Sequence, residues 1–318
     1  MTRIGCAGML VEDTFCGPFK ALPPEGQLLE LEAMPVRAGG CAANVAIDLA
    51  KQGLHVEVVG CLGRDSSAEV LLTCLREHGV DCEQVALVGG FPTSKTVILL
   101  VEGEDRRYLH VFGSNRAFTV GHINRDWLRS LSVFYLGGLC ALPSVAISEL
   151  RELLLFCREH KVTTVVDVVV AHSWTGADEL KVLLPCIDYF LPNRDEAYKI
   201  TGQSETLDQL RAFRAAGAGC VVITQGNAGA VAAKDGSYWK CGAFPVNCID
   251  PSGSGDAFSA GIITGLVHRW PMPQILRYAS ALGASATRAV GTTEGVFGVA
   301  EAEAFVADHI LTESGGTL

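Results

Sequence analysis

The segment Asp250-Pro251-Ser252-Gly253-Ser254-Gly255-Asp256 runs directly into an apolar stretch at helical spacing, with Phe258, Ile262, Ile263, Leu266 and Val267. Small residues ahead of such a stretch predict a tight turn feeding a helix. The first N–H groups of a helix lack internal partners, and the helix dipole adds partial positive charge there. The result is an anion hole suited to phosphate. Asp256 is the odd member, because its carboxylate would repel such a ligand. Its presence makes chemical sense as a general base that takes the proton from a hydroxyl attacking phosphorus. Taken alone, the same residues also read as a Gly/Ser turn with an ordinary first-turn Asp.

The composition narrows the classes. With 318 residues, 49% of them hydrophobic and 19% charged, the chain can bury a sizeable core, as one large α/β domain or two small ones. A formal net charge of −10 argues against a nucleic-acid surface, which needs a basic stripe that the Arg106-Arg107 pair does not provide. The start, Met1 to Gly8, reads as a buried first strand and not as a secretory signal, and no apolar run reaches the ~20 residues a membrane span needs. The twelve cysteines are scattered without C-x-x-C spacing, and the eight histidines show no H-x-x-x-H spacing. The expectation is a cytoplasmic protein with reduced thiols and no structural metal.

Elements that must position Asp256 follow from the apolar periods. Ile4–Leu10 predicts a first strand ending in Val11-Glu12-Asp13, and residues 17–37 predict irregular chain outside the core. Gly39-Gly40 opens a helix over Cys41–Gln52, with Val45, Leu49 and Ala50 inward and Gly53 closing it. A strand over His55–Gly60 and a helix over Ser67–His78 come next. Thr93–Val101 and Arg107–Phe112 predict a hairpin that, with residues 13–37, projects from the body. From Val133 onward, strands at 133–136, 163–169, 189–191 and 220–224 alternate with helices at 145–160, 194–201 and 206–216, the rhythm of a buried parallel sheet. A strand pair at 230–233 and 237–240 and helices near 256–269, 274–288 and 301–311 complete the chain. Ligands of such sheets sit at the strands' C-terminal ends.

From Ile4 to about Gly298 these motifs, in this order, resemble the ribokinase-like sugar kinases of the phosphofructokinase-B type. Gly39-Gly40-Cys41-Ala42-Ala43-Asn44, with Gly53, Gly60 and Gly63, is similar to that family's first signature, and Asp250–Ile262 to its second. The resemblance implies a three-layer α/β sandwich with a mostly parallel central sheet. It also implies a small β-sheet lid, formed by about 13–37 and 92–116 of a single domain spanning 1–318. It makes Asp256 the base, and the N–H groups of Gly253, Ser254 and Gly255 the donors that stabilise the transferring phosphoryl group. Asp13, Gly39, Gly40 and Asn44 match sugar-binding positions, and Gly113-Ser114-Asn115 places Asn115 near the substrate, although a plain turn has the same look. Asn193 and Glu196 match an N-x-x-E motif bearing on magnesium and phosphate, with Mg2+ held through ATP and not by direct side-chain ligation. The same pair is also what a capping box looks like. Thr224, Gly226 and Gly229 match a loop beside the nucleotide phosphates, Ala279–Gly291 a wall of the adenine pocket. The resemblance extends to a potassium-type site near Asp250 and the 286–291 loop.

Two departures limit the substrate. Where many six-carbon sugar kinases carry D-x-N-x-R, this chain has Asp167-Val168-Val169-Val170-Ala171-His172, without the Asn and Arg that would suit an anionic sugar. Cys41 also stands where ribokinases often place a lysine. The leading expectation is therefore an ATP- and Mg2+-dependent kinase acting on a primary hydroxyl of a neutral sugar, a homodimer through its lid, with no nucleic-acid or membrane partner. A nucleoside kinase, with Phe15, Phe19, Phe91 and Phe112 forming a slot for the base, is the runner-up. A catalytically silent sugar- or nucleotide-binding protein is the third reading, and a dehydrogenase the weakest, for want of a dinucleotide fingerprint.

Overall fold

The computed structural model describes residues 2–104, 106–170 and 174–318. His172 lies outside the described residues. In chain order the elements are β1 (Arg3–Gly8), β2 (Val11–Phe19), β3 (Val36–Gly39), α1 (Cys41–Lys51), β4 (His55–Leu62), α2 (Ser66–Glu77), β5 (Asp81–Leu87), β6 (Lys95–Val101) and β7 (Arg107–Val111). There follow α3 (Arg125–Leu128), β8 (Val133–Gly137), α4 (Ile147–Glu159), β9 (Thr163–Asp167), α5 (Ala177–Leu183), β10 (Tyr189–Leu191), α6 (Arg194–Thr201), α7 (Thr206–Ala215) and β11 (Cys220–Thr224). The chain closes with β12 (Ala230–Lys234), β13 (Ser237–Cys241), α8 (Ser254–Val267), α9 (Met272–Ala286), α10 (Val299–Asp308) and β14 (Glu313–Thr317).

The main sheet runs β14-β13-β12-β11-β10-β9-β8-β1-β4-β5. It is parallel from β11 through β5 and antiparallel across β12, β13 and β14. Side chains alternate across a strand, and β8 shows the consequence. Phe134 and Leu136 enter the core under α4–α7, while Val133 and Tyr135 enter the core under α1, α2, α8 and α9. Both faces are covered, which is why these strands read as continuous apolar runs.

The order also fixes where a ligand belongs. From β1 the chain builds outward through β4 and β5, then crosses back to β8 on the other side of β1. The strand order therefore reverses between β1 and β8, and a crevice opens beyond their C-terminal ends. α1 starts directly over it: Ala42 N donates to Met9 O, just past β1 (3.2 Å).

A second sheet, β3-β2-β6-β7, stands apart from the first. The hairpin β6–β7 is as expected. In that sheet Phe15 packs with Ile98 and Leu100 on one face, and Cys16 and Phe19 with Val101 on the other, so Phe19, within the 17–37 stretch expected to lie outside the core, is buried. β5, α5 and β14 were not anticipated from the sequence.

Beside the switch point, β1 and β4 are clamped by a mostly buried carboxylate. Glu57 accepts from Arg3 Nε (2.7 Å) and Nη2 (2.9 Å) and from the Trp127 indole (2.7 Å). Removing it would strand two donors. Glu57→Ala is expected to cost about 2–3 kcal/mol in urea denaturation, below the full range for a buried pair because Arg3 reaches water; a change under about 0.5 kcal/mol would contradict the clamp.

Candidate active site

Two helices begin at the crevice without side-chain caps. α1 starts from Gly40 and α8 from Gly253, and neither N-cap residue makes a side-chain hydrogen bond. On α8 the first internal bond is from Ala257 N to Gly253 O (2.8 Å), so the N–H groups of Ser254, Gly255 and Asp256 precede the ladder. Ser254 N leans on Pro251 O at 3.4 Å. The turn itself demands glycine at 253, where φ is +73° and a methyl group would sit 1.9 Å from Thr292 O. A Cβ at Gly255 would meet open space, so this turn faces outward.

Asp256 is joined to α1. Asn44 Nδ2 donates to Asp256 Oδ2 (2.8 Å), and Asn44 Oδ1 accepts from Thr292 Oγ1 (2.9 Å). The amide is thus oriented by a third element and presents its N–H₂ to the carboxylate. Asn44 is itself buried. Burial raises the pKa of Asp256, while hydrogen bonds from Asn44 and Cys41 pull it down.

Asp13 on β2 faces the same acidic neighbourhood. Burial pushes its carboxyl up to about 7, opposed by the Thr96 hydroxyl and reinforced by the charges of Asp256 and Glu294. Gly39 gives it room: a methyl group there would stand 1.9 Å from Asp13 Oδ2. Asp13, Gly39, Gly40, Asn44 and the 253–256 turn therefore lie in one neighbourhood. Asn115 commits its amide to the backbone. It lies in a short 3₁₀ turn, Gly113–Ala117, where Oδ1 accepts from Leu10 N (3.2 Å) and Nδ2 donates to Leu10 O (3.1 Å). Its amide clamps the chain crossing from β1 to β2.

A second group lies at the ends of β10 and β11. A parallel bridge pairs Asn193 with Thr224 beyond the strands. Gly229 N donates to Gly226 O (3.0 Å) and Gln225 N to Gly229 O (2.8 Å), closing the loop. Asn193 Oδ1 accepts from Asp195 N and Glu196 N (3.0 and 2.9 Å), and Glu196 Oε2 accepts from Asn193 N (2.9 Å). The capping box is real. It also leaves Glu196 largely buried with a pKa of about 7, raised by burial and lowered by the N–H groups of Asn193 and Val170. Asp250, at the head of the α8 turn, accepts from Ser252 N and Gly291 N (3.0 Å each).

Sequence reasoning missed Thr292, Tyr135 and the part played by Asp167. Asp167 ends β9, and its Oδ1 accepts from Gly138 N (3.0 Å). Burial and then the charge of Asp256 hold its carboxyl well above the usual range. Its position where an apolar strand stops was the available signal.

The pfkB family carbohydrate kinase model matches residues 11–296. The chain belongs to this family. A 5-dehydro-2-deoxygluconokinase of Geobacillus kaustophilus (strain HTA426) is 22% identical over 290 residues, 85% of each chain. Among solved structures, Arabidopsis thaliana ribokinase with ribose and ATP superimposes with a TM-score of 0.82 at 22% identity, covering 96% of this chain and 98% of that one. An E. coli protein solved with ATP and Mg2+ gives 0.82 at 17%, covering 97% and 100%. The fold is the ribokinase-like α/β fold, with its large mostly parallel sheet and small separate sheet.

Raised carboxyl pKa values bind protons more tightly in the folded chain than in the unfolded one. For Asp13 and Glu196, stability of the ligand-free protein should therefore fall as pH rises from about 4 to 7 and level off above that. Urea midpoints measured from pH 5 to 8.5 should show this decline, and Asp13→Asn should flatten part of it. An unchanged slope in Asp13→Asn would contradict the assigned environment.

Proposed function

We propose that this chain transfers the terminal phosphoryl group of ATP to a primary hydroxyl of a neutral sugar, and that Asp256 is the general base. What carries the reading is the Asn44–Asp256 hydrogen bond at the mouth of the uncapped first turn of α8. A base and an anion hole stand side by side, and a second uncapped helix starts opposite. The sugar hydroxyl gives its proton to Asp256 as its oxygen bonds to phosphorus, and ADP leaves with the electron pair of the broken P–O bond. The N–H groups of the 253–255 turn stabilise charge on the phosphoryl oxygens, a contribution of electrostatics and placement.

Asp13, Gly39, Gly40 and Asn44 hold the sugar in this account. A carboxylate accepts from hydroxyls and an amide both donates and accepts, which suits a polyol. The cluster of Asp13, Asp167 and Asp256 offers an acidic or phosphorylated sugar no positive side chain to pair with. The nearby cations are spent, Arg37 on Glu294 (2.7 Å) and Lys95 on Glu12 (3.0 Å). Asn115 supports this pocket by fixing Leu10. ATP lies along the loops of Thr224, Gly226 and Gly229. Mg2+, when bound with ATP, neutralises phosphate charge. Both Glu196 oxygens already accept backbone N–H groups, of Asn193 and Val170, so Glu196 and Asn193 fit a role through water and not as direct ligands. A potassium ion beside Asp250 belongs to the same proposal, tested by exchanging K+ for choline.

The β3-β2-β6-β7 sheet serves as a lid on a single-domain enzyme. Its edge exposes Leu109 (63%) and Val111 (56%), surface that a second copy would cover to give a homodimer. Among the described residues no helix is long and apolar enough to cross a membrane. The twelve free thiols support a reducing compartment such as the cytosol. The nucleoside alternative loses two of its four aromatics, since Phe15 and Phe19 are committed to the small sheet's own packing.

ATP consumption with Mg2+, screened across neutral pentoses and hexoses, acidic sugars and nucleosides, tests the reading. At least one neutral sugar should turn over, and Asp256→Asn should lose on the order of 10³-fold or more in kcat with KM little changed. ATP or sugar binding without turnover would favour a silent binding protein. Leu109→Asp with Val111→Lys should convert a dimer to a monomer in sedimentation; an unchanged mass would remove the lid as the interface.

A further inference from the structure

Phosphoryl transfer needs no sulfur, yet a thiol sits beside the base. Cys41 Sγ, one oxygen of Asp167 and one of Asp256 lie within 4.8 Å of one another. They come from three elements: the first turn of α1, the end of β9 and the first turn of α8. Each carboxylate accepts one N–H, Asp167 from Gly138 N and Asp256 from Asn44 Nδ2; beyond these, Asp256 is approached by the Cys41 thiol and Asp167 by the Tyr135 hydroxyl.

Tyr135 is aimed at the same point. It is fully buried, and its hydroxyl, though close enough to Asp167 to favour that carboxylate, makes no hydrogen bond of normal geometry. A methyl group at Gly137 would stand 2.6 Å from Cys41 Cβ and 2.8 Å from the Tyr135 hydroxyl, so both side chains hang over that one Cα. A buried hydroxyl left unsatisfied costs about 1–3 kcal/mol, which an acceptor carried in by a ligand, such as a water on a bound cation, would recover.

One sulfur and two carboxylate oxygens form a donor set for a thiophilic divalent cation with an open fourth position. Mg2+ prefers an all-oxygen octahedron and is a poor match. We infer that the chain binds one Zn2+-class cation through Cys41, Asp167 and Asp256, and that this ion switches the enzyme off by occupying its base. On binding, the S–H bond breaks, a sulfur–metal bond forms, and the thiol proton leaves to solvent. No electrons change hands. The switch-off half rests on the proposed kinase function, whereas the binding half does not.

The test uses the full chain, stripped with a chelator, in the absence of ATP. Zn2+ is titrated against a chromophoric chelator, and Co2+ is added separately to read a sulfur-to-cobalt charge-transfer band. Cys74, whose Sγ lies 3.9 Å from His78 Nδ1, is the competing surface pair, so Cys74→Ser is the control. Wild type and Cys74→Ser should each bind one Zn2+ and show the band. Cys41→Ser should lose the band and bind on the order of 100-fold more weakly. Zn2+ should inhibit sugar phosphorylation by the wild type, with recovery on EDTA, and leave the residual activity of Cys41→Ser unaffected. No Zn2+ binding by the wild type, or equal binding by Cys41→Ser, overturns the site. Binding that depends on Cys41 without inhibition of an active kinase overturns the switch. Cys41-dependent binding by a chain that phosphorylates nothing supports the site and counts against the kinase reading instead.

Discussion

The hydrogen bond from Asn44 Nδ2 to Asp256 Oδ2 joins the first turns of two helices that lie 212 residues apart in the chain. It is the contact on which the rest of the crevice depends. Asp256 stands near Asp13 and Asp167, whose own carboxyls are raised in part by its charge. A carboxylate in such company tends to take up a proton and lose its use as a base. Asn44 opposes this by donating to the charged form, and Thr292 keeps the amide turned the right way.

The fold supplies what the contact needs. Reversal of strand order between β1 and β8 leaves a gap at the sheet's C-terminal edge, and α1 and α8 both begin over it. Neither helix caps itself with a side chain. Backbone N–H groups and helix dipoles therefore stay available to anions, offsetting part of the carboxylate repulsion. The small sheet brings Asp13 in from the side, and Gly39 lets it approach.

Much of this could be read from the residues because the motifs are local. The 250–261 and 39–44 segments each carry their turn, their helix and their polar group within a dozen positions. The parallel sheet was legible from its continuous apolar strands. β5 was not, because Asp81, Glu83 and Gln84 break its pattern on an edge strand with one neighbour. β14, with the sequence Glu-Ser-Gly-Gly-Thr, is exposed throughout and is held by pairing to β13 and by the Glu313–Arg277 ion pair. Residues 17–37 misled because Phe19 buries against a sheet partner, β6, that lies some eighty residues away in the chain. The convergence of Cys41, Tyr135 and Asp167 depends on three separate elements meeting, which no spacing encodes. The Asn193–Glu196 pair forms the capping box that its spacing also allowed, and the box leaves the Glu196 carboxylate mostly buried.

The pH dependence of kcat/KM for sugar phosphorylation, in wild type and Asn44→Ala, tests the central claim most directly. The acid limb of this profile reports the base of the free enzyme. A hydrogen bond to a charged group is worth about 1.5–3 kcal/mol, so losing the Asn44 donor should move that limb upward by on the order of one to two pH units. An acid limb that stays in place in Asn44→Ala, whatever the change in absolute rate, would contradict the account of Asp256 as a base held ready by Asn44.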